Sequence, residues 1–445
     1  MAKLPLEDIT VLDLGTVWAG PLYGRMMADM GAKVIKVESI QRFDTARGVI
    51  PPRAPDFVWP GHKNCEIQDP SWETGGTHHE LSRNKYDITL DLTRPKGQEI
   101  FKKLVKISDV VAENYPPGRM DRWGLGYSSL KEVNPGIIMV SNSGWGATGP
   151  EAHYKAFGIL VEPMSSLCSF TGYPDPEPEM QSGIAYGDMP APVLTIGLTL
   201  AALHYRRKTG KGQFIDVCQR EAIIGHLGEA ILGYSMNQTN PQRMGNHHTS
   251  FAPYNVYPAT SGPLRTPTQP TTKPEPDLDE HWVAIAVRTD EEWKALCRAM
   301  GNPAWSMDEK FSTAPSRWHN QDELDKHIAE WTSQHEMYEI MFMLQKEKVP
   351  TGGVFDSRDL ANDPHLKARN FWVEVEHPVT GVEIWDNMFC KLSKTPGSIR
   401  TPAPLLGQHN EYVYKEMLGM SDEEYEELVR DKYIGTVPLD YLALK

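Results

Sequence analysis

The chain has 445 residues, more than one hydrophobic core usually supports, so two lobes are expected. Apolar residues make up 40% and charged residues 23%, a globular composition that excludes wholesale disorder and a fibrous architecture. A formal charge of -14 works against nucleic acid as a partner, yet a few local cations and backbone amides on an acidic protein still hold a phosphorylated small molecule. Met1 to Thr10 lacks the basic start and apolar run of a signal peptide, and no apolar stretch is long enough to cross a bilayer. The expectation is a cytoplasmic protein with no membrane partner.

In chain order, Ile9 to Leu14 reads as a short buried strand, Gly15 to Pro21 as a loop, Leu22 to Met30 as a helix and Lys33 to Glu38 as a second strand. Together they form a βαβ unit. Further strands are expected at Ile88 to Leu92, Val110 to Glu113 and Ile137 to Ser141, with a helix over Pro95 to Ile107. A long helix over about Val193 to Lys208 ends in basic residues that complement its dipole, and a strand follows at Phe214 to Cys218. Alternating strands and helices imply a doubly wound, Rossmann-like α/β domain. Pro258 to Glu280, rich in Pro and Thr, reads as an exposed insertion or linker. Beyond it come a strand at Trp282 to Val287 and helical patterning over Glu291 to Met300 and Gln321 to Lys346, a smaller α+β domain. The expected division is a large domain from 1–220, a linker over 221–255, a small domain over 256–350 and a return to the large domain over 351–445.

Several motifs compete for the chemistry. Gly144, Gly146 and Gly149 spell GxGxxG after a strand, but Pro150 follows and no helix opens on the last glycine, which argues against a dinucleotide site. Five scattered cysteines lack the short paired spacing of zinc or redox sites, and His78-His79 and His247-His248 lack a further ligand at helical spacing, so no metal is expected. Asp188, in SGIAYGDMPAP, stands on a tight turn before the long helix. Taken alone, aspartate there is either the helix N-cap or a catalytic carboxylate.

The opening LEDITVLDLGTVWAGPLYGRMMADMGAKVIKVE resembles that of the class III CoA-transferases, among them formyl-CoA, carnitine and benzylsuccinate CoA-transferases. RNKYDITLDL, AENYPPGRMDRWGLGY, NPGIIMVSNSGWGATGP, GKGQFIDVCQREA, DPHLKARNFWVEVEHPVTG and LGQHNEYVYKEMLGMSDEEYEEL continue the resemblance in the family's order. It implies that Asp188, in a Gly-Asp turn before a helix ending in Arg206 to Gln213, is a nucleophile. The carboxylate would attack an acyl-CoA thioester, and transfer would proceed through aspartyl intermediates with no tightly bound cofactor. Backbone groups around Ser143, Gly144 and Gly146 would serve as oxyanion donors.

By position, the resemblance assigns coenzyme A contacts to Trp18, Ala19, Leu90, Asp91, Leu92, Thr93, Asn114, Tyr115, Pro116, Arg122, Asn142, Ser143, Gly144 and Trp145. The chain departs from formyl-CoA transferase at Trp18, where a Gln is expected, at Ser39 and Tyr86, where Arg is expected, and at Ser143, where Lys is expected. It also has no counterpart of that enzyme's Gly-rich lid. Arg42 is a candidate to replace the lost cation near Ser39. These departures point away from oxalate and toward a bulkier acceptor, an aryl-succinate or a carnitine-like acid, with succinyl-CoA or another acyl-CoA as donor.

Two rival functions belong to other classes. An α-methylacyl-CoA racemase needs a histidine seven residues after Pro150, and Phe157 stands there. A noncatalytic subunit of a heteromeric transferase would not need the intact Asp188 motif. The resemblance further implies an interlocked dimer, either of two copies or with a related subunit.

Overall fold

The computed structural model describes residues 4–48, 70–174, 176–260 and 281–439. Its centre is a parallel sheet of β1 (Thr10–Asp13), β2 (Lys33–Glu38), β3 (Tyr86–Thr89), β4 (Val110–Glu113), β5 (Ile138–Ser143) and β6 (Phe214–Cys218). The strand order is β3-β2-β1-β4-β5-β6, with every neighbouring pair parallel. The order reverses between β1 and β4, the switch point at which open α/β sheets bind ligands beyond their strand C-termini.

Side-chain alternation explains why these segments are strands buried on both faces. Leu12, Ile35, Ile88, Val111 and Met139 enter a core with Phe101 and Leu104, while Val11, Val34, Val110, Ile138 and Val140 enter a second core with Tyr23 and Met27. On the faces lie α1 (Ala19–Asp29), α2 (Gly76–Ser82), α3 (Pro95–Lys106), α4 (Arg119–Arg122) and α5 (Tyr127–Val133). Three more, α6 (Gly158–Met164), α7 (Pro190–Thr209) and α8 (Gln219–Ile224), frame the β5–β6 side. The strands expected at Lys33–Glu38, Val110–Glu113 and Phe214–Cys218 have those bounds in the structure. The last five residues of the GxGxxG stretch run into turns, and helix resumes only at Gly158.

The chain divides into two compact units, 1–168 with 181–240 and 370–445, and 169–180 with 241–369. In the first, the antiparallel hairpin β10 (Trp372–His377) and β11 (Gly381–Asp386) follows the sheet in sequence. In the second, β7 (Tyr254–Ala259), β8 (His281–Ala286) and β9 (Thr351–Gly353) form an antiparallel sheet packed on its own core, including Trp293, Phe311, Leu324 and Ile340. Of the Pro/Thr-rich stretch, residues 261–280 lie outside the described residues. Among the described residues, no helix is long and apolar enough to cross a membrane.

Candidate active site

The geometry around Asp188 starts from α6. Its Glu162 is fully buried and accepts hydrogen bonds from the Ser182 backbone N (3.0 Å), the Ser182 hydroxyl (2.9 Å) and the Tyr186 backbone N (2.5 Å). One carboxylate therefore pins both ends of the loop that delivers Tyr186–Asp188, a single 3₁₀ turn. Pro190, at the first position of α7, presets the helical φ just after the turn.

Asp188 is not the cap of α7. The cap position is Met189, and no side chain caps this helix. The carboxylate points instead into a half-buried niche, where Oδ1 accepts from Gln219 Nε2 at 3.1 Å. Oδ2 lies against Gly158, so close that a side-chain carbon there would come within 2.3 Å of it. Burial pushes the Asp188 carboxyl up to about 6, the Gln219 hydrogen bond lowers it, and the Glu162 charge adds to the rise. An acid tuned close to neutrality in a niche is a mark of functional sites.

Val161 joins this niche to the end of β5. It is within van der Waals reach of a carbon placed on either Gly144 or Gly187, and it clusters with Trp145 and Ile223. At that strand end, Asn142, Ser143 and Trp145 are 3%, 6% and 8% exposed. Both polar atoms of the Asn142 amide, the Ser143 hydroxyl and the Trp145 indole nitrogen are buried without a partner among the described residues. Orphaned polar groups of this kind cost about 1–3 kcal/mol each, and their concentration at a strand C-terminus suits a polar ligand.

The other expected coenzyme A contacts share this sheet edge but differ in what their side chains can offer. Trp18 is half-buried and Ala19 buried at the start of α1. Val17 just before them has φ of 65°, an outlier for a β-branched residue. The Asn114 amide clamps the loop by accepting from the Thr16 backbone N (2.8 Å) and donating to the Thr16 carbonyl (2.9 Å), so it is already engaged. Leu90 and Leu92 point into the core, and Asp91 holds Thr93 and Arg94, which leaves that segment mainly its backbone to offer. Ser39 bonds to Gln41. Tyr115 packs edge-on to Trp123 at 5.6 Å, and Pro116 is exposed.

Arg42 and Arg122 are exposed and have no carboxylate partner among the described residues, as a pair of phosphate ligands would require. Arg119 belongs with them: its Nε is buried without a partner and its guanidinium lies 5.5 Å from the Trp123 ring centre. Sequence reasoning passed over Arg119 because it looks like any surface arginine on a short helix. Glu162, Gly158 and Gln219 were also missed. Nothing in their local sequence marks them, and only their contacts with the Asp188 turn do.

His78 and His79 lead to the one cluster with metal-ligand spacing among the described residues, His79, His377 and Glu383. Its geometry is that of an internal polar contact. His79 Nδ1 lies 2.6 Å from Glu383 and Nε2 lies 2.9 Å from the Glu73 carbonyl, while the His377 ring lies tilted at 32° to His79 with ring centres 4.1 Å apart. His377 Nδ1 already accepts from two backbone N–H groups, and burial together with His79 holds the ring at about 4.

The model of CoA-transferase family III matches residues 6–269 and 277–410. A succinyl-CoA–D-citramalate CoA-transferase of Chloroflexus aurantiacus is 34% identical over 420 residues, covering 94% of this chain and 96% of its own. A succinate–glutarate CoA-transferase of Agrobacterium fabrum is 31% identical, covering 93% and 96%. A solved CAIB/BAIF family protein from Brucella suis has a TM-score of 0.79 at 29% identity, covering 93% of this chain and 99% of that one. The family match thus runs through all three sequence segments of the sheet-bearing unit and the unit between them, and this chain is a member of CoA-transferase family III, a family of enzymes.

Proposed function

We propose that the enzyme moves CoA from succinyl-CoA to a second carboxylic acid by covalent transfer through Asp188. The observation that carries this reading is a carboxylate that caps no helix and meets no cation among the described residues, held on a tight turn against Gly158 and Gln219 beside a strand end rich in orphaned polar groups. Attack on the thioester gives a mixed anhydride and CoA thiolate. The thiolate then attacks the aspartyl carbonyl, releasing the donor acid and leaving an aspartyl-CoA thioester. The acceptor acid repeats these steps in reverse, so no metal or redox step is needed. Arg42, Arg119 and Arg122 are the cations available for the phosphates of CoA, and Asn142, Ser143 and Trp145 supply the polar contacts nearer the chemistry.

For the acceptor, the reading best supported is a short dicarboxylate, because relatives over nearly the whole chain are named for citramalate and glutarate. A second reading, an acid with a bulky aryl or cationic part, rests on Phe157, which is 67% exposed immediately before Gly158. Of the other aromatics, Tyr86 stacks on Tyr412 and meets His409, and Trp145 packs on Val161 and Ile223, so neither forms an open wall. Phe157 also weighs against a racemase, since the side chain next to Gly158 has no proton to exchange.

We further propose a dimer, of two copies or with a related subunit. Val193, Leu194 and Leu198 of α7 and Ile231, Leu232 and Met236 of the helix Gly228–Asn237 leave apolar surface exposed, more than isolated soluble chains usually show. Relatives named as alpha and beta subunits of a malate transferase illustrate the second possibility.

Steady-state assays with succinyl-CoA as donor and citramalate, malate, glutarate, benzylsuccinate and carnitine as acceptors test the reading. One short dicarboxylate should exceed both bulky acids by about a hundredfold in kcat/KM, near 2.7 kcal/mol. Preference for benzylsuccinate or carnitine selects the second reading, and no CoA transfer to any acid contradicts both.

A further inference from the structure

The two oxygens of Asp188 have different surroundings. Oδ1 accepts the Gln219 amide at 3.1 Å, and Oδ2 faces the bare Cα of Gly158 with no donor to it among the described residues. Gln219 is 5% exposed and is the first residue of α8, directly after β6. The last residue of that strand, Cys218, pairs in register with Ser143 of β5, so the sheet itself fixes where the amide stands. Because a carboxylate only accepts, the group presented to Oδ1 is the amide N–H.

Resting on the covalent reading above, we infer that Gln219 is a catalytic residue that divides the work of the two oxygens: Oδ2 attacks the thioester, and Oδ1 carries the charge whenever the aspartyl carbonyl is attacked. In the first step an Oδ2 lone pair forms the bond to the thioester carbon and the C–S bond breaks, its electrons leaving on sulfur. Oδ1 becomes the carbonyl oxygen of the anhydride and keeps its bond from Gln219. In the second step the CoA thiolate attacks Cγ of Asp188, and the carbonyl electron pair moves onto Oδ1. The Gln219 N–H faces that oxyanion without having to reorganise. Collapse re-forms the carbonyl and breaks the Cγ–Oδ2 bond, so the donor acid departs as a carboxylate. Attack by the acceptor passes through the same oxyanion. One preset donor thus serves the tetrahedral states at Cγ in both halves of the reaction.

The test compares Gln219→Leu, which removes the donor, with Gln219→Glu, which keeps the shape and reverses the polarity. Both should lower kcat by about 10²–10³-fold, the usual effect of losing one oxyanion donor, with KM for succinyl-CoA within about threefold of wild type because the thioester is not what Gln219 touches. Both should also move the acid limb of the kcat profile to higher pH. The hydrogen bond that lowers the Asp188 carboxyl is gone, and in the Glu variant a second carboxylate joins Glu162 beside it. A packing role alone would let Gln219→Glu keep wild-type kcat and the wild-type limb, which would overturn the inference. Asp188→Ala serves as the parallel control. If it is inactive while either Gln219 variant retains wild-type kcat, only the role of Gln219 falls. If Asp188→Ala itself retains activity, the covalent reading falls and this inference with it.

Discussion

At the scale of single residues, the site depends on a carboxylate kept reactive by its surroundings. Burial raises Asp188 to about 6, and the proposed mechanism uses its anionic form as the nucleophile. Turnover should therefore rise with pH through about 6 and level off above it, which a kcat profile from pH 4.5 to 8 checks; a rate that falls over that range would contradict an anionic nucleophile. Gly158 has no room for a side chain, because a carbon there would sit 2.3 Å from Oδ2 and 2.7 Å from the Ala185 side chain. Gly158→Ala should fold and lose about a hundredfold or more in kcat, the scale of a displacement near 1 Å at the reacting group. Circular dichroism alongside the assay separates that loss from unfolding. Asp188 stands out in the sequence only through the family resemblance, because a Gly-Asp turn before a long helix taken alone reads as well as a helix cap. Gln219 lies 31 residues away from it, and the partner of Glu162 in the same niche lies 24 residues from that glutamate. Such contacts are made by the fold and leave no local trace.

At the scale of elements, the parallel strands were readable because burial on both faces turns them into short apolar runs. The hairpin carries a different signal: Val373 to Glu376 and Val382 to Ile384 alternate apolar and acidic residues with period two, without the continuous apolar run that marks the central strands. The helical stretch expected over Gln321 to Lys346 is two helices, Gln321–Thr332 and Met337–Lys346. No Pro or Gly marks the break; Glu336 starts the second helix by accepting from the Glu339 backbone N. The same principle of side chain to backbone fastening governs the Asp188 turn, where Glu162 holds two backbone N–H groups and a hydroxyl. Glu162→Gln keeps the shape but weakens these charge-assisted bonds, so it should cost about 1–3 kcal/mol in urea-induced unfolding. It also removes a charge that raises Asp188, so the acid limb of kcat should move to lower pH. That is the direction opposite to the one expected for the Gln219 variants, and a shift upward would show that Glu162 does not act on Asp188 through its charge.

Across the whole molecule, the sheet edge opposite α7 is held by a buried ionic network that the sequence showed only as scattered charges. Arg47 is fully buried and reaches Glu38 (2.8 Å), Glu73 (2.7 Å) and Asp87 (3.1 Å), while Lys36 binds Asp44 (3.0 Å). Burial pushes the Glu38 carboxyl up, and the Arg47 and Lys36 charges outweigh it, leaving it at about 2. Its contribution to stability is complete above about 4.5 and is lost only as pH falls toward 2. Arg47→Met leaves the Glu38, Glu73 and Asp87 carboxyl groups without their cation, the last already pushed well up by burial and the Glu38 charge, and should cost about 3–5 kcal/mol at neutral pH. Protonating those carboxylates relieves the repulsion, so the deficit relative to wild type should shrink as pH is lowered from 7 to 5; a deficit independent of pH would mean that the loss is one of packing. This network shapes the molecule that presents Asp188, and the covalent step can be read on the intact chain. The most direct measurement is the mass of the whole protein after incubation with succinyl-CoA and rapid quenching, followed by peptide mapping. The account predicts a covalent acyl or CoA adduct on the peptide containing Asp188, released by hydroxylamine and missing in Asp188→Ala. An active enzyme that forms no adduct under single-turnover conditions, or carries it on a different residue, would contradict transfer through Asp188.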